Sequence, residues 1–145
     1  MGTQIQASRI QLDRAIQLYL DEKDYISACT LAGASEGIAG EALTKAGHEN
    51  ALVSNVKGLH QLILDKEKET ISKGEKESER AIWNDFILIR NWLKHYYPNK
   101  PELTFHAKGE AYDAIDRAIT NYLQLTGTES LQMKRFTEYQ SNEND

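Results

Sequence analysis

The chain has 145 residues, a length typical of one domain and sufficient to bury a hydrophobic core without disulfides or metals. Its composition, 40% hydrophobic and 27% charged with two prolines, excludes a disordered chain, and its net charge of −5 argues against non-specific coating of nucleic acid. The single cysteine, Cys29, excludes an intramolecular disulfide. Because no apolar run approaches the roughly 20 residues that cross a bilayer, and no signal sequence is apparent, we expect a cytoplasmic protein with no membrane partner.

The first half of the chain predicts two long helices joined by a short turn. Residues 7–20 place apolar side chains at helical spacing, and Asp24 is a suitable N-cap for a second helix over residues 25–46 that ends at Gly47. Small side chains recur along the second helix and would let a neighbouring helix approach closely. Its internal glycines each cost up to about 1 kcal/mol relative to alanine, so we expect a packing requirement to offset that cost at Gly33, Gly37 and Gly40.

A short helix and a third long helix are predicted next. Residues 49–64 have helical spacing and are interpreted as a separate short helix, despite Gly58. Residues 65–80 mix both signs of charge and are interpreted as a solvated loop or the exposed start of the following helix. The third main helix is predicted over residues 75–97, and the side chains expected to face the core are Ile82, Phe86, Ile89 and Leu93.

The fourth main helix is predicted over residues 107–125 and ends at Gly127, with Tyr112 and Tyr122 facing the core. Because no segment alternates apolar and polar residues as a strand does, we expect an all-α fold, an antiparallel bundle of four main helices with one additional short helix. The bundle is assigned to residues 1–127. Residues 128–145 are predicted to be a polar C-terminal extension, with a turn or two of helix before a frayed end.

The end of the third main helix carries an unusual set of polar side chains, in the stretch IRNWLKHYYPNKP. At 100° per residue, Arg90, Lys94 and Tyr97 share one face of the predicted helix, and Asn91 and His95 share the next. An arginine can bind phosphate oxygens through two parallel hydrogen bonds and stabilise a phosphorane. A histidine can transfer protons near neutral pH. These residue types are therefore sufficient for phosphodiester chemistry without a metal.

The segment RNWLKHYY resembles the arginine, four residues, histidine signature of the HEPN superfamily (higher eukaryotes and prokaryotes nucleotide-binding), including the asparagine that often follows the arginine. The four-helix layout is also loosely similar. The resemblance implies a homodimer whose two motifs face each other and, in many members, a metal-independent ribonuclease that uses the motif residues, here Arg90 and His95. In the HepT-type toxin branch, whose partner is a nucleotidyltransferase antitoxin, a tyrosine two residues after the histidine can be modified with adenylate. Tyr97 occupies that position.

Two functions of different classes follow from this motif. In the first, a HEPN-like endoribonuclease cleaves RNA through attack of a ribose 2′-hydroxyl on the adjacent phosphate. Its catalytic residues would be Arg90 and His95, and its substrate-binding residues would be Asn91, Lys94 and Tyr97. Such an enzyme would need no metal or cofactor, and it could be the toxin of a toxin–antitoxin or defence system with an antitoxin protein as partner. In the second, a non-catalytic helical module uses the same patch to bind a nucleotide or an acidic partner protein. The motif also has an interpretation without function, in which Arg90 and Lys94 are surface cations near a helix C-terminus and His95 is a cap.

Acidic residues near the motif have two interpretations each. Glu36 lies beside the small residues of the second helix, where it is either a partner that orients Arg90 or a peripheral surface glutamate. Asp85 could orient the same arginine or be solvated. The remaining histidines have no spacing typical of a metal site and are interpreted as surface or loop residues, namely His48, His60 and His106.

Overall fold

The computed structural model describes residues 2–66 and 75–143, and within them all regular structure is helical, with no strand. The described residues form helices α1 (Gln4–Gln17), α2 (Tyr25–Lys45), α3 (Ala51–Lys66), α4 (Glu75–Lys94), α5 (Ala107–Thr126) and α6 (Leu131–Glu143), and a π-helical turn over Leu18–Glu22 continues α1. The all-α prediction is confirmed. Across these described ranges, no helix has the length and apolar character needed to span a membrane.

Capping residues set where the first two helices begin. Helix α1 begins earlier than predicted because Thr3 and Gln6 form a capping box, in which each side chain accepts a hydrogen bond from the backbone N–H of the other. Asp24 caps α2 as predicted, and its carboxylate accepts a hydrogen bond from the N–H of Ser27 at 3.1 Å.

The main hydrophobic core lies where α2 packs against α1 and α5. The predicted close approach along α2 is present, because Ala28, Ala32 and Ala39 are fully buried. Two buried hydroxyls join α1 to α2, since the side chains of Ser8 and Ser35 hydrogen-bond to each other at 2.8 Å. Small side chains on α2 therefore allow its neighbours to pack near its backbone.

Helix α6 is longer than the turn or two predicted, and it packs onto the main core. Met133 and Phe136 are fully buried, whereas Leu131 at the start of the helix is 78% exposed. The ring of Phe136 packs against that of Tyr19 with 5.5 Å between centroids. Helix α6 therefore docks through an apolar pair at i and i+3, with Tyr139 packed beside it on the core.

Helices α3 and α4 pack on each other through a second, smaller hydrophobic cluster. The predicted short helix is α3, with 16 residues. Of the residues predicted to face the core from α4, Ile82 and Ile89 are buried and Phe86 and Leu93 are half-buried in contact with the two clusters. The segment 65–80 was predicted to be a solvated loop or the exposed start of the next helix. Residues 65–66 belong to α3 and residues 75–80 to α4, while 67–74 lie outside the described residues.

The end of α4 differs from the prediction. The helix ends at Lys94 rather than at residue 97. The N–H of His95 still donates to the carbonyl of Asn91 at 3.0 Å, but Tyr97 has left the helix. Proline disfavours α geometry in the residue before it, and Pro98 follows directly. The predicted common helical face of Arg90 and Tyr97 is therefore wrong.

Candidate functional site

Glu36 of α2 lies beside Arg90 of α4. Oε1 of Glu36 is 3.6 Å from Nη1 of Arg90. The glutamate is only 2% exposed, so the interpretation as a peripheral surface residue is wrong. The arginine side chain remains 21% exposed. The carboxylate is thus buried next to a cation, as a buried charge requires, while part of the guanidinium reaches the surface.

Arg117 of α5 is a closer partner of Glu36, and the sequence analysis missed it. Its Nε lies 2.6 Å from Oε2 of Glu36 and its Nη2 lies 3.3 Å from Oε1. The residue is buried, and its guanidinium carbon is 5.6 Å from the centroid of the Phe86 ring. A sequence signal existed, because Arg117 and Asn121 are polar residues four positions apart beside the core-facing alanines of α5.

Gly33 of α2 makes room for the Arg90 side chain. A Cβ atom at Gly33 would lie 2.8 Å from Cδ and 2.9 Å from Cγ of Arg90. At Gly40 a Cβ would lie 3.2 Å from Nδ2 of Asn121, whereas at Gly37 it would meet no described atom within 4 Å. The packing requirement predicted for the glycines of α2 is therefore present at Gly33 and Gly40 but not at Gly37.

We expect Gly33→Ala to be less stable than Gly37→Ala, although both replace a glycine within the same helix. Alanine at the open position Gly37 should stabilise the helix by up to about 1 kcal/mol. At Gly33 the overlap with the stem of Arg90 adds an overpacking cost of about 1–3 kcal/mol, so the substitution should be neutral or destabilising and should displace Arg90. Urea unfolding of both variants measures the difference, and equal stabilisation by both would contradict the close approach.

A cleft of about 100 Å³ opens beside Arg90 and Glu36. Its wall includes the indole of Trp83 and the amide of Asn121. Both ends of that amide are hydrogen-bonded, because Oδ1 accepts a hydrogen bond from the N–H of Ala51 at 2.8 Å and Nδ2 donates to the carbonyl of Glu36 at 3.3 Å. Asn121 therefore ties the start of α3 to α2 at the edge of the cleft.

The remaining motif residues lie elsewhere around α4. Asn91 and Tyr97 line a second cleft of about 240 Å³. Lys94 and His95 are exposed. Neighbouring residues on a helix point about 100° apart, and the chain leaves the helix after Lys94. Within one chain, Arg90 and Tyr97 therefore line different clefts, contrary to the expectation that they lie at one opening.

The chain after α4 folds back along the helix. The indole N–H of Trp92 donates to the carbonyl of Lys100 at 2.9 Å, and the Trp92 ring packs against Phe105 with 6.0 Å between centroids. Tyr97, within this returning segment, is 39% exposed and is not part of the core. Its phenol is therefore accessible at the second cleft.

Acidic groups surround the far side of Arg117. Asp85 is exposed and lines a third cleft together with Glu110, Asp113 and Arg117, so it is not positioned at the Arg90 cleft. Burial raises the pKa of Glu110 and of Asp113, and the charge of Arg117 opposes that rise in both carboxyls. Arg117 therefore lies between Glu36 on one side and the carboxyls of its own helix on the other.

His60 is buried, so its interpretation as a surface or loop residue is wrong. It is 5% exposed, and its Nδ1 lies 3.3 Å from Oε1 of Glu79 because α3 turns this side chain toward α4. His48 and His106 are exposed as predicted, and His106 is the N-cap of α5, whose Nδ1 accepts a hydrogen bond from the N–H of Gly109 at 3.1 Å.

Burial raises the pKa of the Cys29 thiol to about 11, so this buried cysteine is not ionised at neutral pH. In residues 2–66 and 75–143, no group of three or more His, Cys, Asp or Glu side chains is arranged to hold a metal ion.

The fold and the site together define an all-helical protein in which one buried carboxylate is shared by two arginines beside a surface cleft. No protein-family model, curated protein or solved structure matches this chain. Its function is therefore inferred from the chemistry of the site.

Proposed function

We propose that this protein is a HEPN-like, metal-independent endoribonuclease. The observation that carries the proposal is the position of Arg90, which belongs to the motif RNWLKHYY and reaches the surface beside a buried carboxylate. Its buried Nε has no hydrogen-bond partner among the described residues, while the side chain is 21% exposed and lines the cleft, where its terminal N–H groups can bind a phosphate oxygen. The antiparallel four-helix bundle of the superfamily would correspond here to α1, α2, α4 and α5.

In the proposed reaction, the imidazole of His95 removes the proton of a ribose 2′-hydroxyl, and the resulting oxygen attacks the adjacent phosphorus. The bond between phosphorus and the 5′-oxygen of the next nucleotide breaks, that oxygen takes a proton from the protonated imidazole of the facing motif in a homodimer, and a cyclic phosphate remains. The Arg90 guanidinium stabilises the charge of the phosphorane, while Asn91 and Lys94 position the substrate. His95 is exposed, which the proton transfer requires.

The enzyme would act as a homodimer. One motif supplies a single imidazole, whereas the reaction uses a base and an acid, and two motifs facing each other supply both. Isologous contact is also the commonest homodimer geometry. Large apolar side chains remain exposed at the end of α4, with Leu88 40%, Tyr97 39% and Tyr96 81% exposed. Light scattering that gives the 16.5 kDa mass of a monomer would contradict this arrangement.

The biological role that fits this chemistry is that of a cytoplasmic toxin in a toxin–antitoxin or defence system, with an antitoxin protein as partner.

The second candidate function is a non-catalytic module that binds a nucleotide or a partner protein. The cleft lined by Asn91 and Tyr97 favours it, because a ligand could bind there without reaching Arg90. RNA degradation in EDTA that is lost in Arg90→Ala and in His95→Ala supports the enzyme, and nucleotide binding without turnover supports the module.

We expect Tyr97→Phe to leave folding intact and to weaken binding or cleavage of RNA. Phenylalanine keeps the ring and therefore its packing, while loss of one hydroxyl hydrogen bond corresponds to about 0.5–1.5 kcal/mol. The control is Tyr96→Phe. Because Tyr96 is 81% exposed, this substitution should change neither stability nor RNA cleavage. An adenylate on Tyr97 would place negative charge at the second cleft and inhibit by repelling the RNA backbone. Loss of several degrees in melting temperature with unchanged activity would assign Tyr97 to packing.

A further inference from the structure

We propose that Arg117 is a positioning residue that keeps the guanidinium of Arg90 available to a phosphate by holding the carboxylate of Glu36. The reaction that this arrangement serves rests on the proposed function. The positioning of Arg90 by Arg117 does not rest on that function, because it depends only on how two arginines share one buried carboxylate.

The two arginines hold Glu36 in different ways. Arg117 contacts both carboxylate oxygens, at 2.6 Å and 3.3 Å, which is the two-bond arrangement that makes guanidinium–carboxylate pairs strong. Arg90 reaches one oxygen at 3.6 Å, beyond the usual hydrogen-bond range of about 2.7–3.2 Å. Arg90 is therefore attracted by the carboxylate without being fixed in a two-bond pair, and its terminal N–H groups remain available to another acceptor.

Arg117 is itself firmly held. Its side chain is buried, and its guanidinium lies against the ring of Phe86, which stands four residues before Arg90 on α4. Its charge also acts on the carboxyls of Glu110 and Asp113, which stand two turns and one turn before it on α5. Arg117 therefore connects the carboxylate of α2 to the part of α4 that carries Arg90.

Removal of Arg117 has a specific consequence for Arg90. A buried carboxylate that loses its partner needs another cation, and Arg90 is already 3.6 Å away. We therefore expect Arg90 in Arg117→Met to form the two-bond pair with Glu36 and to be withdrawn from the phosphate. A second substitution, Glu36→Gln, removes the negative charge that captures Arg90. The double variant should then recover phosphate binding, whereas a purely structural role of Arg117 would make the double variant no better than the single one.

The test measures binding of a short single-stranded oligoribonucleotide in EDTA by fluorescence anisotropy. Methylation of its 2′-oxygens prevents cleavage, so binding alone is observed. Arg117→Met should weaken binding by about tenfold, the usual effect of losing a charged hydrogen bond. The double variant Glu36→Gln, Arg117→Met should bind within about threefold of the unsubstituted protein, because the two positions act through one contact.

The control variant is Arg135→Met. Arg135 also pairs with a carboxylate, that of Asp21, but its side chain is 41% exposed, and its loss should leave RNA binding unchanged. Urea unfolding verifies that each variant is folded. If Arg117→Met does not fold, Arg117→Gln replaces it, because glutamine removes the charge but can still donate a hydrogen bond to Glu36. A folded double variant that binds as weakly as the single variant would overturn the proposal.

A second measurement separates this inference from the proposed function. If the unsubstituted protein binds no RNA, the proposed function fails, and the side-chain Nε–H resonance of Arg90 in an NMR spectrum decides the inference alone. The resonance is assigned by its loss in Arg90→Lys. It should shift in Arg117→Met and return toward its original position in the double variant. An unchanged Arg90 resonance in Arg117→Met would overturn the positioning role.

Discussion

Replacement of His95 by alanine is expected to slow cleavage of RNA in EDTA by about 10²–10⁴-fold, the usual contribution of a positioned proton-transfer group. His95 is exposed after the last turn of α4, so removal of its imidazole should leave stability unchanged. The matched control is His48→Ala, which removes an exposed histidine after α2. Single-turnover cleavage of a labelled oligoribonucleotide, with identification of the cyclic phosphate end, measures the effect.

Replacement of Arg90 should lower the same rate by about 10²–10³-fold, since it removes a donor to the charge that develops in the transition state. Arg90→Lys should restore little of the cleavage rate that Arg90→Ala loses, because lysine cannot form two parallel hydrogen bonds to phosphate. Glu36 keeps Arg117 as a partner in both variants, so the buried carboxylate stays paired. Cleavage that persists at the original rate in folded Arg90→Ala and His95→Ala would exclude this site as the source of activity.

Phe136→Ala is expected to lower the free energy of unfolding by about 3–5 kcal/mol, a large fraction of the roughly 5–15 kcal/mol typical of a domain. Phe136 is fully buried, and its ring centroid lies 5.5 Å from that of Tyr19 and 5.4 Å from that of Tyr112. Alanine would leave a cavity between α6 and the main core, at the point where aromatic rings of α1 and α5 meet.

The control for that substitution is Leu131→Ala on the same helix. Leu131 is 78% exposed, and its replacement should change the free energy of unfolding by less than about 0.5 kcal/mol. Urea unfolding measures both variants. Equally small losses of unfolding free energy in both variants would mean that α6 contributes little to stability. Residues 128–145 would then be a C-terminal extension on which the rest of the fold does not depend.

Local signals in the sequence were sufficient to predict most helices. Asp24 at an N-cap, Gly127 with a φ of 70° at a C-cap and the apolar spacing of Ile82 and Ile89 each act within a few residues of chain. For Glu36 the sequence left two interpretations open, a partner of Arg90 and a peripheral surface residue, and the structure decided for burial beside a cation.

By itself, the sequence determined that this protein is helical and where most of its helices begin and end to within about three residues. The tertiary structure alone decided that Arg117 takes the two-bond contact with Glu36, that Gly33 rather than Gly37 makes room for Arg90, and that His60 is buried. It also decided that Tyr97 and Arg90 line different clefts. The reason is physical: helix formation depends on neighbours within about four residues, whereas these contacts join side chains from different helices and depend on how the helices pack.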